Sequence, residues 1–179
     1  MTKSKAIAGS TVFFVAAPGT VAALVPWLLT GWEPAQSLPG WWWAPSIVAA
    51  AAILAGTVFV VQAFVRFVVE GLGTPVPAAP PERLVVGGPF RYVRNPMYVA
   101  IIVVLAGQAL LLARWEIAAW LAGAWVVVAT FVRIYEEPKL TELFGSQYLE
   151  YKQAVPAWIP RLRPWAPTGG VGGSADGRV

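Results

Sequence analysis

The chain has 179 residues, 58% of them hydrophobic and only 12% charged, with thirteen Lys or Arg against nine Asp or Glu. Ordinary soluble domains carry about 25% charged residues, so this composition describes a membrane protein. Its net charge of +4 is a matter of membrane topology before it is one of nucleic acid. The absence of Cys and His excludes disulfides, thiolate nucleophiles, imidazole bases, haem ligation and ordinary zinc sites; no metal site is expected.

A hydrocarbon core about 30 Å thick needs roughly 20 apolar residues per helical crossing. Residues 7–29, 46–69, 97–113 and 117–135 meet that requirement. The first stretch follows Lys3 and Lys5 as a secretory signal would, but it is longer than a signal core and contains Pro18 and Gly19, so it reads as a retained helix. Trp32, Trp41, Trp42 and Trp43 in the next loop form an aromatic belt at headgroup level. The second stretch is rich in Ala, has Gly56 for close helix contact and Gln62 as a packing residue, and ends near Arg66. Residues 71–89 are dense in Pro and Gly and form a connection, with Leu84, Val85 and Val86 docked at the interface. The third and fourth stretches are separated only by Arg114, Trp115 and Glu116, which requires a tight hairpin.

With the N-terminus inside, this topology places Lys3, Lys5, Arg66, Arg83, Arg91, Arg94, Arg133, Lys139, Lys152, Arg161, Arg163 and Arg178 on one face and Arg114 alone on the other. That asymmetry follows the positive-inside rule. Both termini are therefore expected in the cytoplasm, the protein lying in a plasma membrane or prokaryotic-type inner membrane. Beyond the fourth stretch, Leu140, Leu143, Phe144, Tyr148 and Tyr151 recur at helical spacing among charges, an amphipathic helix broken near Gly145. The segment from Pro167 has nothing to bury and reads as disordered. The expected fold is an all-α integral membrane protein of four transmembrane helices, with a helix 3–helix 4 hairpin and a C-terminal cytoplasmic amphipathic segment. It forms one structural domain: a helix pair over residues 1–70, a core over 71–166 and a tail over 167–179.

Polar chemistry concentrates in residues 87–98 and 133–152, and all five tyrosines, Tyr92, Tyr98, Tyr135, Tyr148 and Tyr151, fall there. Asn95-Pro96 is a helix start, Asn as N-cap and Pro at the first position. Such a terminus attracts anions, and Arg91 and Arg94 either strengthen that field or bind lipid phosphates. Glu136-Glu137 before Pro138 places two acids at a helix C-terminus, against the dipole, and asks for a cation: Arg91, Arg94, Arg133 or a ligand. An anion pocket, a carboxylate pair and tyrosine walls suit a zwitterion with an additional positive centre, the character of S-adenosylmethionine. Neither GxGxxG after a strand nor GxxxxGK[ST] is present, so the cofactor would need another architecture.

The sequence GPFRYVRNPMY, residues 88–98, followed by the hairpin, by Glu136-Glu137 and by FGSQYLEYKQAVPAWIP closely resembles the isoprenylcysteine carboxyl methyltransferase and phospholipid methyltransferase superfamily of integral membrane enzymes. The likeness covers residues 84–161. It implies S-adenosylmethionine at the cytoplasmic ends of the last two helices, leaving as S-adenosylhomocysteine, with a lipophilic acceptor entering from membrane lipid. Arg94, Asn95, Pro96 and Tyr98 stand on the family's R-H-P-x-Y motif, flanked by Arg91 and Tyr92. Glu136 and Glu137 match its paired acids, with Arg133 beside them as a further candidate catalytic group. Tyr148, Tyr151, Val155 and Pro156 match the segment closing over the adenosyl group. Asn95 replaces a His and cannot titrate. Ala100 replaces a frequent Gly, and Ala154 stands where enzymes specific for prenylcysteine tend to carry a base.

Methyl transfer from a sulfonium needs mainly positioning and exclusion of water. A carboxylate acceptor needs no base, whereas an ammonium must first lose a proton, with Glu136 or Glu137 as the nearest acceptor. Two other readings are a cofactor- or lipid-binding member without catalysis and a small four-helix transporter. The transporter is disfavoured because the interiors of the first and third stretches lack ionisable groups.

Overall fold

The computed structural model describes residues 16–35, 38–71 and 83–166, except for the side chains of residues 68, 70 and 71. The expectations placed on residues 7–15, most of the 71–89 connection and the tail from Pro167 fall outside these. Among the described residues five helices follow in order: α1 (Ala16–Thr30), α2 (Trp43–Gly71), α3 (Pro96–Leu112), α4 (Trp115–Phe131) and α5 (Glu137–Ala154). Short 3₁₀ turns at Gly40–Trp42 and Gly88–Arg91 lead into α2 and towards α3. The described residues contain no strand. Two continuous helical runs, Gly40–Phe67 and Trp115–Ala154, each contain a stretch long and apolar enough to cross a membrane; α1 and α3 are shorter apolar helices.

α1 is held by two of its own carbonyls. Pro26 has no N–H for the carbonyl of Ala22, and a π-helical turn over Thr20–Leu24 sends the N–H of Val25 to Thr20 instead of Val21. Both freed oxygens accept from the neighbouring helices: Gln108 Nε2 of α3 donates to Ala22 at 2.7 Å and Trp120 Nε1 of α4 donates to Val21 at 2.9 Å. In an apolar setting, where water cannot serve those carbonyls, these bonds fix α1 against α3 and α4.

α2 and α3 pack through small residues. A Cβ on Gly56 would come within 2.7 Å of Val104 Cγ2 and 2.9 Å of the Ala100 carbonyl. One on Gly107 would come within 2.7 Å of Ile53 Cγ1 and 3.0 Å of the Ala49 carbonyl. The backbones therefore approach closely, with Ala49 and Ala100 buried at these contacts. Ala100, where the family often has Gly, thus serves this contact. Gly56→Val should cost about 1–3 kcal/mol by overpacking and lower the thermal midpoint of detergent-purified protein; an unchanged midpoint would refute the close contact.

Three local expectations change. Val85 is 5% exposed and packs with Ala63 and Phe90 in a protein core, while Leu84 and Val86 pack on the Tyr148–Tyr151 cluster, so the three residues pack against protein instead of docking at the interface. Gln62 is exposed and lines a groove, where packing was expected. Glu136 and Glu137 do not end a helix: α4 runs through a π-helical turn, Val132–Glu136, directly into α5, and Glu137 is the first residue of that helix. Pro138 lacks the N–H a helix interior needs and its ring crowds the carbonyl four residues back; the wider π turn accommodates both. Gly145, with φ 51° and ψ −126°, kinks α5 where the break was expected. No residue with a Cβ adopts that conformation readily.

Residues 155–166 then run back across the start of α3 as a strap. The Pro156 carbonyl accepts from Arg94 N, the Tyr92 carbonyl accepts from Arg161 N, and the Arg91 carbonyl accepts from Trp165 N, each at 2.9 Å.

Candidate active site

Four groups from three elements meet where the strap crosses the start of α3. Arg94 donates through Nη1 to Glu137 Oε1 at 2.6 Å and to the Tyr148 hydroxyl at 3.2 Å, and through Nε to the Val155 carbonyl at 2.9 Å. Glu137 holds a second cation, Lys152 Nζ, at 2.6 Å. Arg94 and Glu137 side chains are 11% and 14% exposed, so this pair is shielded from the solvent that weakens surface ion pairs. Burial alone would raise the Glu137 carboxyl, but the bond from Lys152 and the charge and bond of Arg94 outweigh it and hold the group below the usual carboxylate range. Burial likewise pushes Tyr148 up to about 12 and Tyr151 up. Both stay neutral, and the Tyr151 hydroxyl donates to the Phe90 carbonyl at 2.6 Å.

Glu136 faces the other way, into a cavity of about 330 Å³ between α1, α3 and α4. The cavity has one polar end, made by Arg94, Asn95, Tyr98, Glu136, Lys139 and Tyr148. Its remaining length is apolar, reaching Leu105 on α3 and Leu121 on α4, roughly 13–15 Å along each helix at 1.5 Å per residue. Tyr98 donates to Glu136 Oε2 across a long 3.5 Å. The apolar part of α4 ends at Phe131, so Glu136 lies beyond the stretch composed to cross a membrane. Burial pushes its carboxyl up to about 7; the Tyr98 bond and the Arg94 charge draw it back, and the Glu137 charge adds to the rise. Adjacent acids in one turn are thereby separated into one held in its anionic form by two cations and one drawn up towards neutrality by burial.

The sequence candidates divide by place. Arg94, Asn95, Pro96, Tyr98, Glu136, Tyr148 and Tyr151 line the cavity. Glu137, Val155 and Pro156 stand behind it, holding Arg94 by side chain or carbonyl. Arg91 and Tyr92 line a separate groove, and Arg133 is exposed and lines neither. Asn95 occupies the N-cap position of α3 but makes no side-chain cap bond. Its Nδ2 instead donates to the Ala157 carbonyl at 3.1 Å, so the amide ties the strap to the helix start. Arg161 Nη1 donates to the Ala154 carbonyl at 2.8 Å, bringing a guanidinium to the position where a basic side chain was missing.

Sequence reasoning missed Lys152, whose signal was its spacing from Tyr148 on one face of α5. It also missed Trp125 and Trp158, whose rings pack at 6.4 Å beside Tyr98, 6.5 Å from Trp158. No local pattern joins residues that far apart.

A search of curated proteins found no match to this chain. The family model for phospholipid methyltransferases matches residues 45–147, beginning within α2, ahead of the likeness at residues 84–161, and ending inside α5. With a model covering more than half of its length and both acids and the Arg94 motif inside the match, the chain belongs to the phospholipid methyltransferase family, membrane methyltransferases of the isoprenylcysteine carboxyl methyltransferase superfamily.

Proposed function

We propose that this protein transfers a methyl group from S-adenosylmethionine to the amine head group of a lipophilic acceptor. The observation carrying the reading is the amphipathic cavity: a carboxyl that titrates near neutrality at the end of an apolar channel long enough for a chain. The donor set fits the cofactor. Glu136 and the faces of Tyr98 and Tyr135 suit a cationic centre, and the bonds of Arg94 to protein use Nε and Nη1, leaving its Nη2 edge for a carboxylate. When bound, S-adenosylmethionine supplies a methyl on a sulfonium whose thioether is already a good leaving group.

The rest falls to the chain. Arg94, Glu137 and the strap fix the polar end, the apolar walls from α1, α3 and α4 exclude water and hold the acceptor chain, and Glu136 takes the proton an ammonium must lose. An amine is favoured over a carboxylate acceptor because the cation best placed for a carboxylate, Arg94, is engaged by Glu137 on one side and, in this reading, by the cofactor's own carboxylate on the other. In this reading α1 to α4 all cross the membrane, α3 and α4 as a hairpin, with the Asn95 end and both termini cytoplasmic, in keeping with the distribution of basic residues.

The reading is tested by binding and by turnover. S-adenosylhomocysteine should raise the thermal midpoint of detergent-purified protein, by about 2.7 kcal/mol of stability at a hundredfold excess over Kd; absence of any shift at millimolar ligand overturns the cofactor assignment. Incubation with a labelled methyl donor and a membrane lipid extract should label amine-bearing lipid. Binding without label would instead support a member that holds cofactor or lipid without catalysis.

A further inference from the structure

The strap over residues 155–166 is pinned to the start of α3 at both ends and in its middle. The Pro156 and Ala157 carbonyls accept from Arg94 N and Asn95 Nδ2, and further along Arg161 N and Trp165 N donate to the Tyr92 and Arg91 carbonyls. Two short loops, residues 158–160 and 162–164, lie between these bonds. They hold the strap's most exposed large apolar side chains, Ile159 at 79% and Leu162 at 99%. Arg163, next to Leu162, is exposed and has no partner among the described residues. We propose that the two loops are seated in the bilayer, with Ile159 and Leu162 among the acyl chains of the leaflet on the Asn95 side and Arg163 among its anionic head groups. Lipid then holds from outside the segment that braces the cavity's polar end.

A single exposed Leu would need no such explanation; depth is what distinguishes these two. The Trp158 ring packs at 6.4 Å on Trp125, inside α4, and at 6.5 Å on Tyr98, in the first turn of α3. On the other flank Pro160 lines the groove between α2 and α3 together with Val65, which belongs to the run Gly40–Phe67. The first loop therefore lies alongside stretches of α2 and α4 composed to cross a membrane, and Ile159 is exposed at that level, where lipid is the neighbour. The second loop is bonded to Arg91 and Tyr92, which precede α3, and so sits nearer the surface. There an apolar side chain beside a guanidinium can enter the acyl boundary while the charge stays with the phosphates. Pro160 and Pro164 close the two loops without an N–H, which spares an unpaired donor in each where water is scarce.

The chain has no Cys, so Ile159→Cys, Leu162→Cys and Leu54→Cys each take a nitroxide label at one position, in full-length protein reconstituted into phosphatidylglycerol nanodiscs. Leu54, 68% exposed on α2, reports whether that helix crosses the bilayer at all. Both strap labels are expected to respond more to oxygen, which partitions into lipid, than to a water-soluble nickel chelate, at a depth of about 5 Å or more below the phosphates. Phosphatidylcholine in place of phosphatidylglycerol should move the Leu162 label outward, and Arg163→Gln should remove this difference. Strap labels open to the chelate while the Leu54 label lies in lipid overturn the proposal and leave the crossing helices standing; a Leu54 label in water overturns both. Strap labels shielded from both reagents mean that protein covers the loops, which also overturns it, and a head-group difference that survives Arg163→Gln overturns the role of that residue. Should one strap variant not fold, the other reads the same depth from a separate loop. None of these readouts uses cofactor or turnover, so the result stands apart from that of the methyl-transfer reading.

Discussion

Arg94→Ala is expected to lower stability by about 2–4 kcal/mol and to abolish the shift produced by S-adenosylhomocysteine. The figure starts from the roughly 3–5 kcal/mol lost when one partner of a buried pair is removed. It is reduced because Glu137 keeps Lys152 at 2.6 Å and neither partner is wholly enclosed. The variant strands more than one charge: the Val155 carbonyl and the Tyr148 hydroxyl also lose their donor. Arg94→Lys should recover little, since one ammonium cannot reach the Val155 carbonyl and the Glu137 carboxylate in the fork geometry of a guanidinium. The pH dependence has a definite sign. Glu137 titrates below its unfolded value, so its contribution is complete above the usual carboxylate range and is lost as pH falls through the lowered value. Arg94→Ala should therefore lose less stability on acidification than the natural chain. A double-mutant cycle with Glu137→Gln checks the pairing: additive losses would show that the two side chains do not act on each other.

The elements were legible because each rests on a local cause. Apolar run length gave α2, α3 and α4 and the end of α1 to within a few residues, Pro96 marked the start of α3, and Gly145 marked the kink. The roles at the site were less legible, because they depend on which carbonyls the fold leaves without partners. Asn95 illustrates this: its sequence neighbour Pro96 signals a cap, yet its amide serves the Ala157 carbonyl, 62 residues away in the chain. The acids illustrate it differently. Glu-Glu-Pro reads as a helix end when Pro is taken as a breaker, and only the π turn over Val132–Glu136 lets the helix continue. That turn has the consequence that matters most, because it separates neighbours that an ordinary helix end would leave equivalent in solvent. Glu137 meets two cations and Glu136 meets the cavity. Similarly, nothing in the sequence singles out Gln108, whose amide binds the Ala22 carbonyl that Pro26 leaves without a donor.

Glu136→Gln should separate catalysis from stability by moving them in opposite directions. In the proposed role of proton acceptor for an ammonium, Glu136 must be ionised, so methyl transfer by the natural chain should rise with pH through about 7 and level off above it. The amide cannot accept that proton, and a loss of roughly 10²–10⁴ in rate is expected, with the rise near pH 7 gone. Stability runs the other way. The folded carboxyl binds its proton more tightly than the unfolded one, whose ordinary value is 4.5, so the native state loses stability as pH rises from there to about 7. The interval corresponds to about 3 kcal/mol. Glutamine has the same shape, still accepts from Tyr98, and carries no charge to bury, so the variant should melt higher than the natural chain at pH 8 and nearly level with it at pH 5. A carboxylate placed for structure alone would behave differently: its replacement would leave the rate profile unchanged, and a side chain whose charge is stabilising would melt lower as the amide at pH 8. Either result removes Glu136 from the reaction, while the expected pair, slower and more stable, is the signature of a charge kept in an unfavourable place for the chemistry it performs.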